Sequence, residues 1–141
     1  MERWIIYAVL SMLFAGFTSV IAKFGMKGLS SDVALAIRTS VVFTIVIVNA
    51  FLFQSAYKEL KQSPTQNTLF LVLSGVTTSL SWIFYYRAMK EGQVSYVASI
   101  DKASIVVTLI LSFFILNEPV TPKILIGAGF IITGMFILIW K

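Results

Sequence analysis

Residues 94–116 read VSYVASIDKASIVVTLILSFFIL, and the only charges among them are Asp101 and Lys102. The stretch is long and apolar enough to cross a hydrocarbon core of roughly 30 Å as a helix. A charged side chain near the centre of such a helix costs about 2.5–3.5 kcal/mol on insertion scales, so it faces a partner or a cavity. This stretch therefore predicts a membrane helix that carries a polar site, as in a channel or carrier.

Four more apolar segments flank it. The reading predicts spans at about 4–22, 33–53, 69–88, 94–116 and 123–140. The uncharged run from Trp4 to Ala22 is longer than the 7–15-residue core of a secretory signal, and Glu2 beside Arg3 weakens a positive leader, so it reads as a permanent span. Between the spans lie short breaks. These are Ser30-Ser31-Asp32, expected to cap the second helix before Val33, and the polar loop 54–68 with Lys58, Glu59, Lys61 and Ser63-Pro64. Further on come the tight turn Lys90-Glu91-Gly92, and Asn117-Glu118-Pro119, followed by Thr121-Pro122 at the start of the last helix. Connections this short make consecutive helices antiparallel neighbours. The expected fold is all-α: a single multi-pass membrane domain over residues 1–141 with five transmembrane helices.

Composition agrees and excludes other classes. Of 141 residues, 58% are hydrophobic and only 12% charged, about half the charge fraction of a soluble domain. The net charge of +5 comes from 11 basic residues scattered at span ends, which is anchoring rather than the clustered footprint of nucleic-acid binding. Cysteine and histidine are absent, so thiolate chemistry, disulfides, histidine ligation and a Ser-His triad are excluded, and the loop carboxylates Asp32, Glu59, Glu91 and Glu118 are dispersed. No enzyme, resident cofactor or metal is expected; coupling to protons or another ion stays open.

Alternation of sides places Arg3, Lys58, Lys61 and Lys123 at one face of the membrane and Lys23, Lys27, Arg38, Arg87, Lys90 and Lys141 at the other, four against six. The bias in short loops sets orientation, so this chain specifies its own only weakly. Two readings follow: one orientation with the C-terminus cytoplasmic, or insertion in both orientations to give antiparallel dimers. Two inverted five-helix copies reproduce the inverted-repeat plan common among secondary transporters.

Within the spans, Asp101, Ser104, Thr108 and Ser112 share one helical stripe, while Ser95, Ser99 and Lys102 share another, offset by about 100°. Asp101 and Lys102 need not pair with each other. One reading makes them a substrate or proton site; the other, an intramembrane ion pair that fixes helix register. The third span carries Ser74, Thr78, Ser81 and Tyr85 on one stripe, with Trp82, Tyr86 and Met89 forming an aromatic-rich end beside Arg87. Such rings either line a pathway for a cationic or planar solute or anchor the helix at the interface. Met89 reads as packing. In the first span Ser11, Ala15, Thr18 and Ala22 form a small-residue face, and Lys23 reads as snorkelling to the headgroups. Arg38 lies in the second turn of its helix, on a face with Asn49, and has two candidate partners, Asp32 and Asp101. Gly127, Gly129 and Gly134 lack the spacing and preceding strand of a nucleotide loop and read as sites of close helix packing, across a dimer interface in one version.

Several stretches together resemble the EamA-type half-transporters of the drug/metabolite transporter superfamily. They are Ala34-Leu35-Ala36-Ile37-Arg38; Leu73-Ser74-Gly75 followed by Ser81 to Ala88 (SWIFYYRA); Val97 to Ser104 (VASIDKAS); and Leu116 to Thr121 (LNEPVT), with Gly127 and Gly134 beyond. The likeness runs through essentially the whole chain in order. It implies half of an inverted-repeat transporter of the cytoplasmic (inner) membrane, pairing with a second copy or with an oppositely oriented sibling chain. It departs from the related small multidrug transporters, which place an essential Glu in the first helix, since no acid lies between Arg3 and Lys23. The fourth helix of the wider family also more often opens with Pro, where this chain has Ser99-Ile100-Asp101-Lys102.

The expected activity is transport of a small polar or amphipathic metabolite by alternating access. Asp101 and Lys102 form the charged site, with Trp82, Tyr85, Ser81, Ser104 and Arg38 as further substrate-binding candidates, while Glu118 braces its turn. The competing readings are a protein that flips or escorts a lipid headgroup, with Arg38, Lys23 and Lys102 meeting the anion, and a non-transporting partner subunit of another membrane protein.

Overall fold

The computed structural model describes residues 3–53, 61 and 63–140; Glu2, Lys58, Glu59 and Lys141 lie outside the described residues. The described chain is helical, with six helices and no strand among the described residues: α1 (Arg3–Gly25), α2 (Ser31–Phe53), α3 (Thr65–Glu91), α4 (Val94–Asp101), α5 (Ser104–Leu116) and α6 (Pro122–Ile139). The continuous stretch Val94–Leu116 is long and apolar enough to cross a membrane, as are α1, Ser31–Leu52, α3 and α6, giving five spans among the described residues. The fourth is interrupted at Lys102-Ala103. The expected spans are thus all present, with α3 extending from Thr65 to Glu91 rather than from Leu69 to Ala88.

The helix ends are set by local chemistry. Ser30 caps α2: its Oγ accepts from the Val33 amide at 3.3 Å and its carbonyl accepts from Ala34 at 3.0 Å. The preceding turn passes through Gly28 at φ 76°, a conformation that costs a side-chain-bearing residue about 1–2 kcal/mol. The Pro64 carbonyl accepts from Asn67 at 3.0 Å and opens α3. Asn117 ends α5 in the left-handed region at φ 54°. Thr121 then caps α6 through its hydroxyl, 3.4 Å from the Ile124 amide, with Pro122 as the first helical residue.

Residues Met1–Lys90 and Glu91–Lys141 form two compact units. In the first, the end of α3 meets the start of α2 through Arg87 and Asp32, so α2 and α3 run antiparallel. The buried side chains of this unit collect near that end: Met26, Leu35, Tyr86 and Met89, of which Met89 has no exposed surface. In the second unit α6 packs against α4 and α5, and Ala128 is buried. Most other large apolar side chains of the described residues are exposed, among them Phe14, Phe43, Leu71, Phe114 and Phe130. In water such a surface would drive aggregation; in a bilayer it is the surface that lipid covers.

Candidate functional site

Arg38 lies seven residues into α2, roughly 10 Å along the helix from its start at 1.5 Å per residue. Its guanidinium carbon sits 4.4 Å from the centre of the Trp82 ring and 5.9 Å from that of Tyr86. Trp82 and Tyr86 are four residues apart and therefore share one face of α3. Stacking of this kind contributes about 0.5–2 kcal/mol, most where water is excluded. Neither candidate acid is the partner of Arg38. Asp32 accepts from Arg87 at 3.3 and 3.4 Å, and Asp101 pairs with Lys102. Among the described residues no carboxylate pairs with Arg38.

Half-buried Arg38 also lines a cavity of about 370 Å³, together with Thr18, Ile21, Ala22, Ile37 and Tyr86 among others. A second cavity of about 350 Å³ is lined by Trp82, Leu35, Thr39 and Ser79, and by the paired Asp32 and Arg87. The Arg38–Trp82 stack joins a wall residue of the first cavity to a wall residue of the second. Tyr85, on the neighbouring face of α3, shares a hydrogen bond of 2.9 Å with Ser19 of α1. Ser81 stays on the exposed side of α3.

At the same end the helix termini are tied together by lysines. Lys90 donates to the carbonyls of Met26 at 3.0 Å and Leu29 at 2.7 Å, just beyond α1. Reciprocally, Lys23 of α1 donates to the Met89 carbonyl near the end of α3. Lys23 thus serves a helix terminus. Ammonium groups suit these positions because the last carbonyls of a helix lack intrahelical donors and carry its negative dipole end.

In the second unit Asp101 and Lys102 do pair, Nζ to Oδ2, at 3.5 Å. They sit where the helix of the fourth span tightens. The amides of Ala103, Ile105 and Val106 bond to carbonyls three residues back, at Ile100, Lys102 and Ala103, at 2.9–3.1 Å. This is 3₁₀-type bonding, which is shorter-lived along a chain than α bonding and recurs at hinges. Ser104 is the first residue of α5, just beyond the break, and Ser99 donates back to the Ser95 carbonyl at 2.7 Å.

The seven predicted site residues therefore divide between the units: Arg38, Ser81, Trp82 and Tyr85 in the first, Asp101, Lys102 and Ser104 in the second. The structure brings Arg38 and Trp82 together, and Asp101 and Lys102. Tyr86 joins the first group although the reading from sequence names it only within the aromatic-rich end of its span and not as a site residue; its four-residue spacing from Trp82 is the available signal. Many other span hydroxyls simply bond to their own helix, as Thr18 does to the Phe14 carbonyl, Ser40 to Ala36 and Ser79 to Gly75.

Comparison with known proteins agrees with this architecture. Residues 2–140 match the EamA-like transporter family. The chain belongs to that family. It is also 37% identical over 137 residues to a Sinorhizobium sp protein described as "Uncharacterized transporter in cobO 3'region", covering 97% of this chain and 96% of that protein. No solved structure matches. Membership of the EamA-like family, with five membrane-spanning segments, makes this chain a multi-pass membrane transporter, and both comparisons point to transport rather than enzymatic chemistry.

Proposed function

We propose that this EamA-like chain is a secondary transporter that moves a small polar or amphipathic metabolite across the cytoplasmic membrane by alternating access, as an antiparallel dimer of two copies. The observation that carries this reading is the Asp101–Lys102 pair at the interruption of the fourth span. A broken helix supplies both requirements of a carrier. It offers backbone and charged groups to a solute inside the membrane, and it gives a joint about which α4 and α5 can reorient.

The near balance of basic residues, four against six, supports insertion in both orientations. The face of α6 shared by Gly127 and Gly134 supports a second copy: a Cβ built at either would meet no atom within 4 Å, which leaves room for a neighbouring helix.

Vesicles carrying the purified chain and loaded with a uniformly ¹³C-labelled small-molecule extract test the reading. A restricted set of labelled compounds should leave the wild-type vesicles. The Asp101→Asn, Lys102→Met double variant, which removes both charges together, should retain them while eluting and unfolding like wild type. If wild-type vesicles release nothing beyond protein-free controls, transport fails and the non-transporting partner subunit is the better reading. A cysteine added after Lys141, labelled from each side of native membranes, tests the assembly: labelling from one side only eliminates the antiparallel homodimer.

A further inference from the structure

Among the described residues Arg38 meets two aromatic rings, Trp82 and Tyr86, and no acid. A guanidinium has five N–H donors, all in its plane and none on its faces. The Cζ of Arg38 lies over the Trp82 ring at 4.4 Å, and no carboxylate among the described residues takes up its donors, which leaves N–H groups for an acceptor. Asp32, the acid on the same helix, is held by Arg87 on the α3 side. Arg38 meanwhile lines the cavity of about 370 Å³, whose other walls are mostly apolar: Ile21, Ala22, Leu29, Ala34 and Ile37. A cation on the wall of a mostly apolar cavity, inside a membrane helix and beside the hydroxyl-bearing Thr18 and Tyr86, is complementary to an oxyanion attached to a hydrocarbon or aromatic body.

We propose that Arg38 is the anion-recognition residue of this transporter, with the cavity between α1, α2 and α3 accepting a small amphipathic solute through its carboxylate or phosphate group. Trp82 holds the guanidinium at the cavity wall, where its fork can meet two oxygens at once. Tyr86 closes the wall beside it. This deepens the transport reading and rests on it for the word substrate, but binding at Arg38 requires no movement across the membrane.

The same oxyanion chemistry is presented by a dissolved metabolite and by a lipid phosphate, and the experiment separates them. Trp4→Phe and Trp140→Phe leave Trp82 as the one tryptophan, a fluorophore in contact with the guanidinium. The full chain in phosphatidylcholine nanodiscs is titrated with hexanoate, hexylammonium and 1-hexanol, which share one tail and differ in head charge. Hexanoate should change Trp82 emission saturably, and the other two should not. Arg38→Gln should abolish the response, and Arg38→Lys should weaken it at least tenfold, because an ammonium keeps the charge but loses the planar fork. Ala34→Leu fills the cavity without touching the stack. It should weaken hexanoate while leaving the starting emission of Trp82 unchanged, which keeps the test valid if the Arg38 variants fold poorly.

An equal response to 1-hexanol, or a hexanoate response that survives Arg38→Gln, overturns the proposal. Displacement of hexanoate when phosphatidylglycerol replaces a third of the lipid also overturns it, assigning Arg38 to a headgroup instead of a solute. Hexanoate binding without any efflux from loaded vesicles would count against transport alone. Efflux that persists without hexanoate binding would count against the Arg38 site alone.

Discussion

At Arg38 a guanidinium is kept two turns inside an apolar helix by aromatic rings, and the neighbouring bases are kept in place by different means. Arg87 has a carboxylate, but both partners are more than half exposed, so in water the pair would contribute at most about 1 kcal/mol. Lys90 and Lys23 have backbone carbonyls at helix ends. Hydrogen bonds from a charged donor contribute about 1.5–3 kcal/mol each when made, and a carbonyl left without one is costly. Lys90→Met should therefore lower the unfolding free energy of the purified chain by about 1–3 kcal/mol. Lys27→Met, whose ammonium lies 5.4 Å from the Phe24 ring, should cost less than about 1 kcal/mol. Denaturant titration followed by circular dichroism distinguishes the two. Equal losses would mean that the Lys90 bonds to Met26 and Leu29 do not hold the end of α1 in place.

At the scale of the element, the fourth span is two helices, and its chemistry changes at each end of α5. Its start follows the tightened turn at Asp101–Lys102–Ala103, which forms without a proline. Its end is Asn117 at φ 54°, where the Glu118 amide returns to the Ser112 carbonyl at 3.2 Å. Asparagine tolerates the left-handed region through its short polar side chain, glycine enters it without strain, and alanine meets the steric penalty. Asn117→Ala should cost about 1 kcal/mol and Asn117→Gly close to nothing in the same unfolding measurement. If both cost alike, the side chain of Asn117, and not its backbone conformation, ends the helix. The caps at Ser30, Asn117 and Thr121 were legible in the sequence because each acts within three or four residues of itself. The interruption at Lys102 was not, since nothing in Ser99–Ile100–Asp101–Lys102 breaks a helix by propensity.

For the whole molecule, the charge difference that sets its orientation in the membrane is small enough to reverse. Thr65→Lys with Gln66→Lys at the start of α3 would change the balance from four against six to six against six, and four such lysines would exceed the opposite side. In a chain inserted both ways, these additions should shift cysteine labelling after Lys141 progressively toward one side of the membrane. Labelling that does not move after these additions would mean that the loop charges do not set the orientation. The apolar exterior bears on the same point. Phe130 and Phe136 of α6 are largely exposed while the glycines between and before them face open space, a surface suited to lipid and to a helix of another copy.

The sequence by itself determined the class of this protein: five spans, all helical, capped where Ser30, Asn117 and Thr121 stand, with polar groups inside the membrane and family motifs in order. Hydropathy and capping depend on residues within one or a few turns, so one dimension suffices to read them. Only the tertiary structure decided which base meets which acceptor. Arg87 takes Asp32 from 55 residues away, Lys23 reaches a carbonyl 66 residues along, and Arg38 is left to Trp82 and Tyr86. Those choices depend on how each helix is rotated and how far it is displaced along its axis. A change of one residue in register turns a helix by about 100° and exchanges every partner.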